Sequence, residues 1–191
     1  MKKCVVLLAS FLLLFLYSCE KSEEAPVKEY ELVDIRFILT GEAEKVDVEF
    51  QGAHVRNATT EPAFYSGVKE ETVDEKSVFT MYQLLPKEIA SRKDIYVEVP
   101  DIMGEEFPEK VLFGDVPQYN KRVFKYEDKN TKVPPYCDYS VTCLIHGYEQ
   151  STEFTATFKE IHSNEVVEIK GEWNGILYPH MESKSVFTKL E

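Results

Sequence analysis

Ser151 to Trp173, STEFTATFKEIHSNEVVEIKGEW, decides how this chain is read. Phe154, Ala156 and Phe158 leave one side of an extended backbone, and Thr155 and Thr157 leave the other. After the polar break His162-Ser163-Asn164, Val167, Ile169, Gly171 and Trp173 share one face, with Glu168, Lys170 and Glu172 opposite. A period of two on both sides of a polar break predicts antiparallel strands, each with one buried face. Trp173, on the apolar face, is expected to be buried.

The same period extends outward in both directions. Val141, Cys143 and Ile145 alternate up to Gly147. Asn174-Gly175 is a dipeptide favoured in two-residue hairpin turns, because both positions tolerate positive φ. Ser185 to Leu190 reads as a last strand. Near the other end, Val33, Ile35, Phe37 and Leu39 form a face, Gly41 to Glu44 a turn, and Val46, Val48 and Phe50 a second face, together a predicted hairpin. Ser77 to Leu85, closed by Pro86, and Ile95 to Val99, closed by Pro100, are further strands. Val111 to Phe113 and Val123 to Tyr126 are weaker ones. Pro86 to Lys93 is the single helix candidate, and Gln51 to Lys76 reads as a long loop. Eight or nine short strands with regular turns predict an all-β fold, an antiparallel β-sandwich of immunoglobulin- or transthyretin-like kind, with a small β-barrel as the alternative.

The first residues carry an address. Lys2 and Lys3 precede an apolar run from Val5 to Leu16. That pattern is a secretory signal, too short to span a bilayer comfortably, which takes ~20 apolar residues. Leu16-Tyr17-Ser18-Cys19 resembles a lipobox, with Tyr17 larger than the residue usual there. The acidic stretch with a lysine that follows, Glu20-Lys21-Ser22-Glu23-Glu24, resembles the export signal of surface-exposed lipoproteins of the Bacteroidetes. The resemblance is confined to this segment. It implies a signal peptide over residues 1–18, acylation at Cys19, an export signal at Lys21, Glu23 and Glu24, and a flexible tether over residues 19–28. A single domain over residues 29–191 would then stand on the outer membrane, facing the cell surface, with the periplasmic face as the alternative. Several acyl chains, at ~0.8 kcal/mol per buried methylene, anchor effectively for good.

Without residues 1–18 the chain has 20 Lys+Arg against 34 Asp+Glu, a formal charge of −14. Phosphate backbones are bound through lysine and arginine, so no nucleic-acid partner is expected. With Cys4 in the signal and Cys19 acylated, Cys137 and Cys143 remain, in a compartment that permits a disulfide. On one straight strand their sulfurs would lie ~20 Å apart. A turn at Asp138-Tyr139-Ser140 would make them a disulfide pair.

No nucleophile elbow, zinc-protease helix, phosphate loop or EF-hand spacing occurs. His54, His146, His162 and His180 are scattered, and the acidic runs read as solvated loops. No catalytic residue, cofactor or metal ligand is therefore assigned. Aromatic residues make up 13% of the chain, and Phe64-Tyr65, between Pro62 and Gly67, is the binding candidate on the expected loop. These features point to a membrane-anchored, non-catalytic binding or structural module with a protein or glycan ligand. Val33 to Phe50 and Tyr82-Gln83-Leu84-Leu85-Pro86 are faintly similar to fimbrillin-type lipoproteins, which implies an accessory of a surface assembly as one alternative. A glycan-binding protein, or a hydrolase with dispersed catalytic residues, is another.

Overall fold

A computed structural model describes residues 27–39, 41–107 and 110–191. The signal, Cys19 and the export signal Lys21, Glu23 and Glu24 lie outside the described residues. The strands are β1 (Tyr30–Leu39), β2 (Glu44–Lys45), β3 (Val48–Asn57), β4 (Ala63–Met81), β5 (Tyr96–Val97), β6 (Val111–Leu112), β7 (Gln118–Val133), β8 (Cys137–Glu160) and β9 (Val166–Lys189). One helical turn, α1 (Lys87–Ala90), precedes β5. Pro86 sits at the cap position of α1, where its fixed φ suits a helix start.

The strands are longer than their sequence segments suggested. β8 and β9 run 24 residues each and pair antiparallel from Cys137↔Lys189 to Lys159↔Val166. The expected turn at Asn174-Gly175 is absent. Both residues lie inside β9, with Asn174 opposite Ser151 on β8 and Val78 on β4. Gly175 serves packing instead, because a Cβ there would collide with the Trp173 ring, and one at Gly171 would collide with the Thr80 carbonyl and the Phe154 ring. The two glycines bracket a tryptophan with no exposed surface, whose Nε1 donates to Ser77 Oγ at 2.8 Å.

Gly147 likewise does not end a strand. The β8–β9 register shifts between His146 and Tyr148, a β-bulge. The extra residue lies on β9, where Tyr178 and Pro179 stand against Gly147, and β8 itself keeps its alternation. Tyr139, Val141, Cys143 and Ile145 are buried at odd positions, and Phe154, Ala156 and Phe158 at even positions, so the two halves of β8 bury opposite faces of the strand. A second bulge between Leu32 and Asp34 puts Val33 out into solvent while Ile35 and Phe37 turn in.

The expected hairpin between the faces at residues 33–39 and 46–50 does not form. β1, β2 and β3 pair with β8 one after another along the same edge, Tyr30 opposite Glu160 and Asn57 opposite Cys137. The expected loop at residues 51–76 is also corrected. It holds the end of β3, a short turn and most of β4. β4 pairs with β9 over Lys76–Met81, then leaves it and pairs with β7 over Ala63–Ser77.

The fold is all-β and antiparallel throughout its main sheet, in the order β1-β8-β9-β4-β7 with β2 and β3 beside β8. That path does not return on itself, so the barrel alternative is set aside. Nor do the strands divide into two separately paired main sheets, since β4 belongs to both ends of one sheet. At the Cys137 end the sheet doubles over. Ala53, Val133, Tyr139, Val141 and Cys143, from β3, β7 and β8, close a small core there with Tyr65 and Tyr126. At the Glu160 end the sheet is single and is covered by the segment between β4 and β7. Ile89, Ile95, Ile102 and Phe113 of that segment pack on Phe79, Phe154, Phe158 and Trp173. The rings of Phe79 and Phe113 meet Phe154 edge-on at 5.3 and 5.7 Å, a favoured aromatic geometry. Each such side chain removed from water contributes about 1.5–3 kcal/mol.

Candidate functional site

Phe64 and Tyr65 sit on β4, not on a loop, so the pleat sends them to opposite sides. Phe64, opposite Lys132, is 63% exposed. Tyr65 turns inward, its ring 6.2 Å from that of Tyr139. Cys137 and Cys143 share one face of the uninterrupted strand β8, and both are free thiols, so the turn needed for a disulfide is absent. Burial raises the Cys143 thiol above its ordinary pKa.

Phe64 belongs to a tip built where β3, β4, β7 and β8 turn. Asn57, 3% exposed, is its centre. Its Nδ2 donates to the carbonyls of Glu61, Val133 and Pro134 at 2.9, 3.1 and 2.9 Å, and its Oδ1 accepts from the Thr59 amide and hydroxyl. Buried amides are kept only when bonded in this way. The Tyr136 amide donates to the Thr59 carbonyl, and the Leu190 amide to the Tyr136 carbonyl, which ties both turns to the end of β9. Tyr136 holds φ at 49°, an uncommon conformation for a bulky residue. Tyr136 and Phe187 are each 47% exposed. Phe187 stacks on Tyr139 at 4.9 Å.

Beneath these aromatics a polar cluster locks the two layers. Buried Asp128 accepts from the hydroxyls of Tyr126 at 3.0 Å, of Tyr139 at 2.6 Å and of Thr131. Burial pushes the Asp128 carboxyl up, but the hydroxyls of Thr131, Tyr139 and Tyr126 outweigh it and hold it below its ordinary value. Burial, joined by the bond to Asp128, raises both tyrosines. All three groups are thereby moved away from titration near neutral pH, and the cluster holds structure.

Where the doubled and single parts of the sheet meet, a second group of charges spans three strands. Glu75, 2% exposed, accepts from Arg122 at 3.1 Å, Asn120 at 3.2 Å and the Tyr178 amide at 3.4 Å. Arg122 also donates to the Pro179 carbonyl at 2.9 Å. On β8 and β9, at the central bulge, His146 and His180 are cross-strand partners with ring centroids 4.6 Å apart. Sequence reading kept these histidines separate because 34 positions divide them, and only the pairing of β8 with β9 brings them together. His54, on β3, and His162, in the β8–β9 turn, stay apart from them.

No family model matches the chain, and no curated protein matches it. Among solved structures it is similar to a lamprey immune protein, at 15% identity and a TM-score of 0.51, covering 84% of this chain and 54% of that one. It is also similar to the parasporin-2 toxin of Bacillus thuringiensis, described as recognising cancer cells. There the identity is 8%, the TM-score 0.54 and the coverage 84% and 75%. At such identities the likeness is one of fold, a long-stranded antiparallel all-β architecture. The chain spans about half the length of the lamprey protein.

Proposed function

We propose that this chain is a lipid-anchored, surface-exposed stalk that presents a non-catalytic binding tip. One observation carries the reading. The described chain enters at the Glu160 end of β8, where Tyr30 pairs, while Phe64, Tyr136 and Phe187 gather around its Cys137 end. Twenty-four residues separate the two ends, roughly 80 Å at ~3.3 Å per residue. Cys19 precedes Val27 by eight residues, a reach of at most about 28 Å. An acyl chain there keeps the entry end near the bilayer and stands the aromatic tip away from it.

The doubled end is the sandwich-like part of the molecule, and its rigid strands carry the contact residues. The partner is a protein or a glycan, since exposed aromatic rings serve either by stacking or by filling a pocket. No helix among the described residues is long and apolar enough to cross a membrane. The anchor proposed is the lipid on Cys19, at the outer membrane. A glycan array and a pull-down with the full chain test the reading. Capture of a partner, weakened when Phe64, Tyr136 and Phe187 are replaced by alanine, supports it. Capture unaffected by all three places the binding surface elsewhere. Cys19→Ala should release the chain from membranes in detergent partitioning, and retention would overturn the anchor.

The fold shared with a toxin favours a second reading, in which the chain acts on other cells. Killing of target cells, or dye release from vesicles, by the purified chain would replace the first reading with the second.

A further inference from the structure

We propose that the chain binds one neutral sugar ring in a pocket between β4, β7 and the segment that covers the single sheet. The pocket has a volume of about 170 Å³, below the ~300–1,000 Å³ of sites that take drug-sized ligands, and so has room for a single ring. Glu75 and Ser77, both buried on β4, form its floor. Asn120 and Gln118 stand opposite them on β7, and direct cross-strand partners share a face. Phe107 and Val111 make an apolar wall. That wall is held in place. The Gln118 carboxamide accepts from the Leu112 amide at 2.9 Å and donates to the Leu112 carbonyl at 2.7 Å, which ties the covering segment to β7. The Phe107 ring meets the Trp173 ring edge-on at 5.6 Å. A site formed before its ligand arrives loses little to ordering on binding.

The polar groups of the floor select the ligand class. A carboxylate offers two oxygens and about four lone-pair sites. Glu75 Oε1 accepts from Arg122 and from the Tyr178 amide, whereas Oε2 accepts only from Asn120 among the described residues. Asn120 donates one amide hydrogen in that bond, and among the described residues its Oδ1 accepts none. Ser77 Oγ accepts from Trp173 Nε1, which leaves its own hydrogen to donate. Two acceptors and one donor thus border one small space, a set that suits neighbouring hydroxyl groups, each both donor and acceptor. Charge disfavours the other classes. Glu75 repels an anion from the floor. Arg122 already balances Glu75, and Lys76 and Lys110 border the pocket, so a cation gains little there. The Phe107 ring and Val111 receive the C–H face of a sugar. Eleven residues of β4 separate Glu75 from Phe64, roughly 36 Å at ~3.3 Å per residue, so the site rests on neither the aromatic tip nor the anchor.

Trp173 is the one tryptophan of the chain, and its indole N–H donates to the pocket floor, so the NMR signal of that proton reports on the site. Titration of the full chain with glucose, galactose, mannose and N-acetylglucosamine, following this signal, tests the proposal. At least one of the four sugars should move it saturably. Asn120→Ala, at an exposed position, and Phe107→Ala should each weaken that binding by at least ~10-fold, as when a polar or apolar contact to the ligand is left unmade. Replacing Phe64, Tyr136 and Phe187 together by alanine should leave it unchanged, whatever the tip binds. Failure of all four sugars to move the signal overturns the proposal. So does native affinity in the Asn120 or Phe107 variant, or loss of binding in the tip variant.

Discussion

Glu160 closes β8 and caps the turn into β9. Its carboxylate accepts from the hydroxyl and amide of Ser163 and from the amides of His162 and Glu29, and these bonds lower its pKa to about 2. A carboxyl depressed on folding stabilises the fold above its unfolded pKa of about 4.3, and that stability is lost as pH falls through the folded value. Denaturant unfolding should therefore show the native chain more stable than Glu160→Gln at pH 7, with the gap closing as pH approaches 2. A gap that persists at pH 2 would remove the carboxylate from this role. Asn57 makes a sharper case, because its single amide satisfies groups on two turns. Asn57→Leu leaves several of them buried without partners and should cost about 1–3 kcal/mol, read as a lower denaturation midpoint. Faster amide exchange should appear at residues 58–62 and 134–136, while β9 at Trp173 stays protected.

At the scale of the element, β4 shows how one strand serves two layers. Lys76 to Met81 extends the single sheet, and Ala63 to Thr72 forms a ribbon with β7. The alternation along it divides adjacent residues between solvent and core. Phe64→Ala should change stability by less than about 0.5 kcal/mol, as surface changes do, whereas Tyr65→Ala should cost about 1–3 kcal/mol. Melting temperatures of the two single variants check this. Equal losses would mean that Phe64 is also part of the core and unavailable to a partner. Much of the strand inventory was legible in sequence because alternation is a local consequence of the pleat. Strand ends were not. Gly147, Gly175 and the acidic run Glu70-Glu71 read as breaks, yet each lies inside a strand whose partners hold it extended.

At the scale of the whole molecule, the join between the single and doubled parts rests on Glu75 and Arg122, which connect β4, β7 and β9. Removing one partner of a buried pair is costly, by about 3–5 kcal/mol when both charges are inaccessible. Arg122 is 39% exposed, so solvent screening reduces the expected cost of Glu75→Ala to about 1–3 kcal/mol. The variant should also uncouple the two cores. Tryptophan emission reports the core at the Glu160 end, and amide exchange at Val141 and Cys143 reports the other. In the native chain the two should unfold together, and in Glu75→Ala the second should open first. Coincident unfolding in both would show that the pair does not couple the ends.

By itself the sequence determined the strand-forming character of the chain and most of the inward-facing residues, among them Phe154, Phe158, Ile169 and Trp173. These follow from side-chain period and apolar area, which act over a few neighbours. Tertiary structure decided how far each strand runs, where bulges absorb a residue, and which strands meet. It laid β1, β2 and β3 end to end along β8 where a hairpin was expected, sent Tyr65 inward and Phe64 outward, and set His146 beside His180. Pairing and register depend on residues far apart in the chain, and no local pattern encodes them. The polar groups that organise the tip and the join, Asn57, Glu75 and Asp128, stayed invisible for the same reason. Alone in sequence they read as surface residues, and only their assembled partners make their burial favourable.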